Sequence, residues 1–297
     1  MMRYFFYLVA VLAVLALLYL FALLPRYGQR PLERLRRSRY AHRGLHNARQ
    51  GIPENSILAF RYALAGHFGA EIDVHLTRDN RLVVIHDSDL QRLCGVEGTV
   101  EDMDFPQLRQ LQLEGTKERI PLFEEVLTLF SEKAPLIIEL KTHGNNYREL
   151  CKRVCKRLET YRGDYCIESF DPRVLWWLRR NEPFIIRGQL AENFLKRGGP
   201  VKWPLRFAMT FLLCNFLTRP DFIAYRYEDR GVVSVRLCTQ LLKAQEVSWT
   251  IRSQEDLDVV EEAGGIAIFE SFLPEERKSA VPSEGQNSPA DGDIPAP

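Results

Sequence analysis

Two histidines, three carboxylates, an arginine and a lysine stand where short β-rich runs of this chain end, and together they have the makings of a metal-assisted attack on a phosphate ester. His42-Arg43-Gly44 closes a run at 38–42. Glu71-Ile72-Asp73 sets two carboxylates two residues apart, a spacing that a strand turns to one face. His86-Asp87 ends a run at 81–86, and Glu139 lies in the run at 135–140 with Lys141 two positions on. Carboxylate oxygens are hard ligands suited to Mg²⁺ or Ca²⁺. A cation held by them polarises a phosphoryl oxygen, and a neighbouring guanidinium can grip the same group through paired hydrogen bonds. Two histidines divide the proton work, one as base toward an attacking hydroxyl and one as acid toward the leaving oxygen. Each part alone is commonplace on a protein surface. Their convergence on strand ends carries the argument.

The elements that must position these groups alternate. Strands read at 38–42, 69–76, 81–86, 135–140, 165–169, 184–188, 221–225, 247–251 and 265–269, with helices between them. The clearest helix is 146–159, where Tyr147, Leu150, Cys151, Val154, Cys155 and Leu158 recur at helical spacing. Another starts at Asp171-Pro172, an N-cap followed by proline. Repeated strand–helix units imply a parallel sheet, and this many favour a closed (β/α)8 barrel of the TIM type, whose active site gathers at the C-terminal strand ends. Nine strands exceed eight by one. Between Asp73 and Leu82 there is no room for a crossover helix, so 69–76 and 81–86 should form an antiparallel hairpin. With Asp79 and Asn80 as its two turn residues, Asp73 falls opposite His86, about 5 Å away. Residues 87–120 carry turn signals without a place in the alternation and read as an insertion over the barrel mouth. The apolar run 205–217 contains Arg206, is too short to span a bilayer, and reads as a barrel helix.

Residues 1–25 form a transmembrane helix in this reading, since no charge interrupts Tyr4–Leu24 and about 30 Å of helix crosses a hydrocarbon core. The run ends without a small-x-small cleavage site, which favours an uncleaved anchor. A basic linker, 26–37, follows; the barrel occupies 38–274, and a Pro-, Ser-, Glu- and Gly-rich tail, 275–297, reads as disordered. Arg26, Arg30, Arg34, Arg36, Arg37 and Arg39 lie beyond the helix against Arg3 before it, so the barrel is expected on the cytoplasmic side of a single-pass membrane protein. The same arginines are candidates for contact with anionic headgroups. Six scattered cysteines include Cys151 and Cys155 but complete no zinc set, and read as core thiols of a reducing compartment. A net charge of +1 gives no field for nucleic acid, and none is expected as a partner.

The chain resembles the glycerophosphodiester phosphodiesterase family. The resemblance runs through Ala41-His42-Arg43-Gly44, Pro53-Glu54-Asn55-Ser56, Glu71-Ile72-Asp73-Val74, Val83-Val84-Ile85-His86-Asp87 and Ile138-Glu139-Leu140-Lys141. It continues through Glu168-Ser169-Phe170 and Val247-Ser248-Trp249-Thr250, covering nearly all of 38–274. It implies a (β/α)8 barrel with an insertion after the His-Asp motif, His42 and His86 as the acid/base pair, and Glu71, Asp73 and Glu139 as ligands of a divalent cation. Arg43 and Lys141 would meet the phosphate, Glu54 would support the histidine-bearing loop, and Trp249 would line the substrate pocket. The implied reaction cleaves a glycerophosphodiester, or a lysophospholipid, into glycerol 3-phosphate, or a lysophosphatidate, and an alcohol. One departure stands out. Where the family closes its last strand with a Thr-Asp-x-Pro-like element, this chain has Phe269-Glu270-Ser271-Phe272-Leu273-Pro274, a change expected to bear on the headgroup end of the pocket and not on the catalytic set.

Other residues are assigned away from the chemistry. His75 shares the face of Glu71 and Asp73 but lies further up the hairpin, His143 belongs to an exposed loop, His46 and His67 to surface or helix-end positions, and Trp176-Trp177 to packing. Two other functions compete. A phosphoinositide- or sphingomyelin-directed lyase of similar barrel would release a cyclic phosphate, and the presence of both Glu139 and Lys141 argues against it. A catalytically silent membrane-bound lipid sensor should have lost a ligand or proton donor, and none is missing.

Overall fold

The computed structural model describes residues 2–26, 32–197 and 202–276. Eight parallel strands close into a barrel: β1 (Tyr40–His42), β2 (Gly69–Leu76), β4 (Leu136–Leu140), β5 (Tyr165–Ser169), β6 (Arg187–Ala191), β7 (Phe222–Arg226), β8 (Gln245–Ile251) and β9 (Ile266–Phe269). β1 pairs with both β2 and β9, which closes the ring, and the surplus strand, β3 (Leu82–Val84), hangs from β2 as an antiparallel hairpin. Alternation decides what each strand buries. On β2, Ile72 and Val74 face outward into a core shared with Phe60, Phe123, Phe130 and Leu150 of the surrounding helices, while Glu71 and Asp73 face in. The floor of the interior is apolar, with Tyr40, Ile137, Cys166, Phe222, Val247 and Ile268 packed over Leu32 and Leu35 of the segment that leads into β1. Gly188 is required there, because a Cβ would lie 2.0 Å from the Phe222 ring. The inward-facing carboxylates of Glu71, Asp73, Glu139 and Glu168 stand above this floor, toward the C-terminal strand ends.

Two expectations need correction. β6 begins at Arg187 and not at 184, because Pro183–Ile185 form a turn that leaves Phe184 exposed. The apolar residues Ile185 and Ile186 drew the expected strand too far toward the N-terminus, whereas Arg187 and Gln189 sit buried in the ladder. The hairpin register is also off by one. Val74 pairs with Val84, His75 with Val83 and Leu76 with Leu82, so Asp73 lies across from Ile85, whose N–H donates to the Asp73 carbonyl at 3.0 Å. The cause is turn chemistry. Asn80 alone takes positive φ (61°), and Thr77 N–H donates to Arg81 O at 2.9 Å, so the loop holds three residues and not two. Val83 and Ile85 consequently turn under residues 88–120, which supply Leu90, Leu93, Val100, Leu108, Leu113 and Ile120 to a small core of their own.

The N-terminal helix, α1 (Met2–Leu23), is long and apolar enough to cross a membrane, and residues 2–18 are wholly exposed. Its last turn belongs to the barrel. Leu23 is fully buried among Leu212, Ile223, Tyr225, Val235 and Cys238, and Arg219 donates to the carbonyls of Phe21 and Leu24 at 2.9 Å each. The crossovers on this side are built from short pieces, Trp203–Thr210 and Asn215–Thr218 before β7, Val233–Arg236 and a π-helical turn at Leu237–Leu241 after it. The run 205–217 is thus two helices and not one, broken near Leu212, which has φ of 56°. Several linker arginines pair with the underside of the barrel. Arg34 meets Asp164 at 3.3 Å, Arg36 meets Gln245 at 2.5 Å and Arg39 meets Glu261 at 2.7 Å, all at the barrel floor, because the chain passes under the barrel to reach β1. Arg30 and residues 277–297 of the expected tail lie outside the described residues. All six cysteines are free thiols; Cys151, Cys155, Cys166 and Cys238 are buried, and burial pushes the Cys155 thiol up to about 12.

Candidate active site

The turn after β1 aims its groups by an unusual backbone. Arg43 and Gly44 both have positive φ (55° and 78°), and a Cβ on Gly44 would lie 2.9 Å from the Phe60 ring. This bend directs the Arg43 N–H to Glu71 Oε2 at 3.1 Å, its Nη1 to Glu54 Oε1 at 2.9 Å, and its Nε to 3.6 Å from Asp73 Oδ2. The Pro53-Glu54-Asn55-Ser56 segment divides its labour residue by residue. Ser56 caps the helix Ile57–Ala65, its Oγ accepting from Ala59 N–H at 3.1 Å. Asn55 donates Nδ2–H to Asp73 Oδ2 at 2.8 Å. Glu54 receives Arg92 from the insertion, through Nη2 to Oε1 at 2.7 Å and Nη1 to Oε2 at 3.1 Å, as well as Arg43.

Strand register sets the carboxylates side by side. Asp73 pairs with Glu139, Glu139 with Glu168, and Glu71 with His42. Glu71, Asp73 and Glu139 are all buried and each offers an oxygen within 4.8 Å of the others. The Lys141 ammonium bridges two of them, 3.0 Å from Asp73 Oδ1 and 2.8 Å from Glu139 Oε2. Burial, reinforced by repulsion from Asp73, Glu139 and Glu168, raises the Glu71 carboxyl well above its ordinary range, and burial also raises Glu139. Asp73 goes the other way: burial works against its charge, but Lys141, His86 and Arg43 outweigh it and hold the group well below the carboxylate range. Lys141 stays above its ordinary value, burial being overcome by Asp73 and Glu139. Glu168 is buried with Oε2 unpaired, and burial together with Glu139 pushes it well up. Glu71, Glu139 and Glu168, which burial and repulsion push toward protonation, are groups that a divalent cation would relieve, and the hard oxygen donors of Glu71, Asp73 and Glu139 fit Mg²⁺ or Ca²⁺.

Each histidine is held by a carboxylate. His86 Nδ1 lies 2.6 Å from Asp87 Oδ1, and Asp87 is braced in turn by Arg92 at 2.5 Å. His86 is not opposite Asp73 in the ladder; it arrives because the chain bends beyond β3, where buried His75 contacts the His86 carbonyl at 3.1 Å and Glu101 at 2.7 Å. His42 Nδ1 is in direct hydrogen-bonding contact with Glu270 Oε2, and its Nε2 stands 3.9 Å from Glu71. Burial lowers the His42 pKa against the pull of Glu270. Glu270 was expected to affect only the headgroup end of the pocket; it sits instead against His42, because β9 closes onto β1. His46, expected at the surface, is four-fifths shielded with Nε2 3.9 Å from Glu270. His143 is exposed, His67 follows the helix Ile57–Ala65 at an exposed position, and Trp177 packs against the core. Trp249 meets Phe170 edge-on at 5.6 Å, in the upper interior. A cleft of about 900 Å³ opens beside these groups, lined by His86, Glu139, Lys141, Phe170, Leu205 and Met209 among others. Arg92 was not anticipated as a contributor, Asn55 and Glu168 were quoted within motifs but given no role, and Glu270 was assigned to the headgroup end. Only Glu168 carried a local signal, an acidic residue in the inward parity of its strand.

Three buried carboxylates that could hold a divalent cation thus stand beside the cationic side chains of Arg43 and Lys141. The sequence profile of the glycerophosphoryl diester phosphodiesterase family matches residues 42–269, and the chain belongs to that family. A glycerophosphodiester phosphodiesterase of Bacillus altitudinis is 37% identical over 116 residues, 37% of this chain and 46% of that one. A lysophospholipase D of Rattus norvegicus is 33% identical over 150 residues, 46% of each chain. The matched part thus spans about half the length of these two relatives. An Oleispira antarctica phosphodiesterase, solved in complex with the product sn-glycerol-3-phosphate, superposes with a TM-score of 0.66 at 21% identity, covering 80% of this chain and 93% of that one, a likeness of fold.

Proposed function

We propose that the chain hydrolyses glycerophosphodiesters to glycerol 3-phosphate and an alcohol. The observation that carries this reading is the buried Glu71–Asp73–Glu139 cluster with Arg43 and Lys141 against it. Those three carboxylates would hold a divalent cation, which supplies polarisation of the phosphoryl oxygen when bound. Arg43, gripped by Glu54, and Lys141, kept charged by Asp73 and Glu139, bind the non-bridging phosphate oxygens. His42 is the base: its lowered pKa keeps it neutral, and Glu270 at Nδ1 leaves Nε2 to take a proton from the water whose oxygen forms the new bond to phosphorus. His86, oriented through Nδ1 by Asp87, returns a proton from Nε2 to the leaving oxygen. Trp249 and Phe170 close the upper interior against water. One observation favours extending the substrates to lysophospholipids: the cleft is lined on one side by Leu205 and Met209, where a free headgroup offers nothing apolar to bury. Purified full-length protein assayed on a panel of glycerophosphodiesters should release glycerol 3-phosphate, lose activity with chelator, and regain it with Mg²⁺ or Ca²⁺. Failure to turn over any diester with either cation present would reject the reading.

We also propose, independently of the reaction, that the chain is a single-pass membrane protein with its barrel in the cytoplasm. It is supported by the length and apolarity of α1 and by the excess of arginine after it. Protease added to sealed spheroplasts should leave the barrel intact until the membrane is opened. Digestion in sealed spheroplasts, or a mature chain starting near Pro25, would overturn it.

A further inference from the structure

The way α1 seats on the barrel fixes which barrel face meets a bilayer. Its C-terminal end is tied to the start of β7: Arg26 N–H donates to Pro220 O at 2.9 Å, and Arg219 reaches the carbonyls of Phe21 and Leu24. One turn back along the helix, Tyr19 packs against the cluster that holds Tyr225 and Val235, at and beyond the finish of β7. α1 therefore runs along the outer wall from the start of β7 toward its finish, and the exposed residues 2–18 extend onward for roughly 25 Å at about 1.5 Å per residue. That length approaches a hydrocarbon core. The basic linker is left at the floor, on the far side from the bilayer.

The mouth carries a surface suited to such a neighbour. The helix Trp203–Thr210 exposes Trp203, Leu205 and Phe207 (64%, 45% and 38%), with the Trp203 and Phe207 rings stacked at 5.5 Å. Leu205, with Met209 one turn on, also lines the cleft that holds His86 and Lys141. The same segment continues through Leu212 onto Leu23 of α1, so the exposed apolar side chains and the candidate membrane helix belong to one packed unit. Aromatic side chains with a polar edge favour the headgroup level of a bilayer.

We propose that the catalytic mouth is apposed to the bilayer entered by α1, with the helix Trp203–Thr210 lying in the headgroup layer as an apolar rim. A phosphodiester anchored by an acyl chain then reaches the carboxylate cluster past Leu205 and Met209 without leaving the membrane surface. The substrate consequence rests on the phosphodiesterase reading; the surface itself does not.

The test uses full-length protein reconstituted into phosphatidylcholine–phosphatidylglycerol vesicles, with and without brominated acyl chains. Brominated lipid should quench the wild-type tryptophan emission more than that of Trp203→Phe, the difference isolating Trp203. A Trp203→Ser, Phe207→Ser double variant, altered only at exposed positions, should lose about tenfold or more in kcat/KM on a bilayer-borne lysophospholipid. Its turnover of a water-soluble glycerophosphodiester should be unchanged. Equal quenching of wild type and Trp203→Phe, access of aqueous iodide to Trp203 in vesicles, or cross-linking of this helix to a second copy in place of lipid would each overturn the proposal. If Trp203 is quenched by brominated lipid while neither substrate is hydrolysed, the surface stands and the proposed reaction falls.

Discussion

Asp73→Asn is expected to abolish turnover while the barrel stays folded. The substitution keeps the shape of a buried side chain but removes the charge on which Lys141, Arg43 and Asn55 converge. It leaves Glu71 and Glu139 as the only carboxylates of the proposed triad, and turns an acceptor into a group that must offer an N–H to a donor already in place. Cation affinity should fall by more than the roughly 10–100-fold that changes to outer partners produce. Catalysis at saturating cation should fall by at least ~10²–10³-fold, as when a group facing a developing charge is removed. Lys141 retains Glu139 at 2.8 Å, so its ammonium is not stranded and unfolding should remain cooperative. Activity and cation titrations, read beside thermal unfolding by circular dichroism, check both halves. Undiminished activity at limiting cation would remove Asp73 from the ligand set.

His42→Ala and His86→Ala should each lower kcat by ~10²–10⁴-fold, and the double variant by far less than the product, since a base and an acid acting in one proton exchange fail together. Glu270→Gln extends the series. Glu270 touches His42 and, through Oε1, Arg252 at 3.2 Å, so it acts through the imidazole. As a positioning residue it should lower kcat by roughly 10–100-fold with little change in KM. Glu270→Asp should recover part of the loss, because a carboxylate still orients Nδ1. A fall in KM-dependent terms alone, or no rescue by Asp, would assign Glu270 to the pocket and not to the base.

How much of this was legible from sequence depends on the distance over which each contact is made. The barrel was legible because alternation such as Ile72–Asp73–Val74 is a property of neighbours, and so was the inward carboxylate pair. The hairpin register failed on a single backbone angle: Asn80 at positive φ lengthens the loop by one residue, and one residue reverses every facing pair. The site survived that error because His86 lies beyond the ladder and is placed by His75, whose structural role the sequence did indicate. β6 was misplaced because its buried polar residues, Arg187 and Gln189, imitate a loop. Glu270 was misassigned and Arg92 missed for a different reason. Glu270 is 228 positions from His42, and Arg92 is 38 from Glu54; barrel closure and insertion packing create these contacts, and no local spacing announces them.

The seat of Leu23 also imposes an order on how the molecule comes into being. The partners that bury it, Leu212, Tyr225 and Cys238, are translated about two hundred residues later, as is Arg219, 198 positions from Phe21. At ~5–20 residues per second that is a wait of roughly 10–40 s. During it the helix has left the ribosome and its docking site does not exist. β1 waits longer still, for β9. α1 and β1 therefore settle only once β7 and β9 have followed them, and a nascent chain halted before β7 carries a helix without its seat.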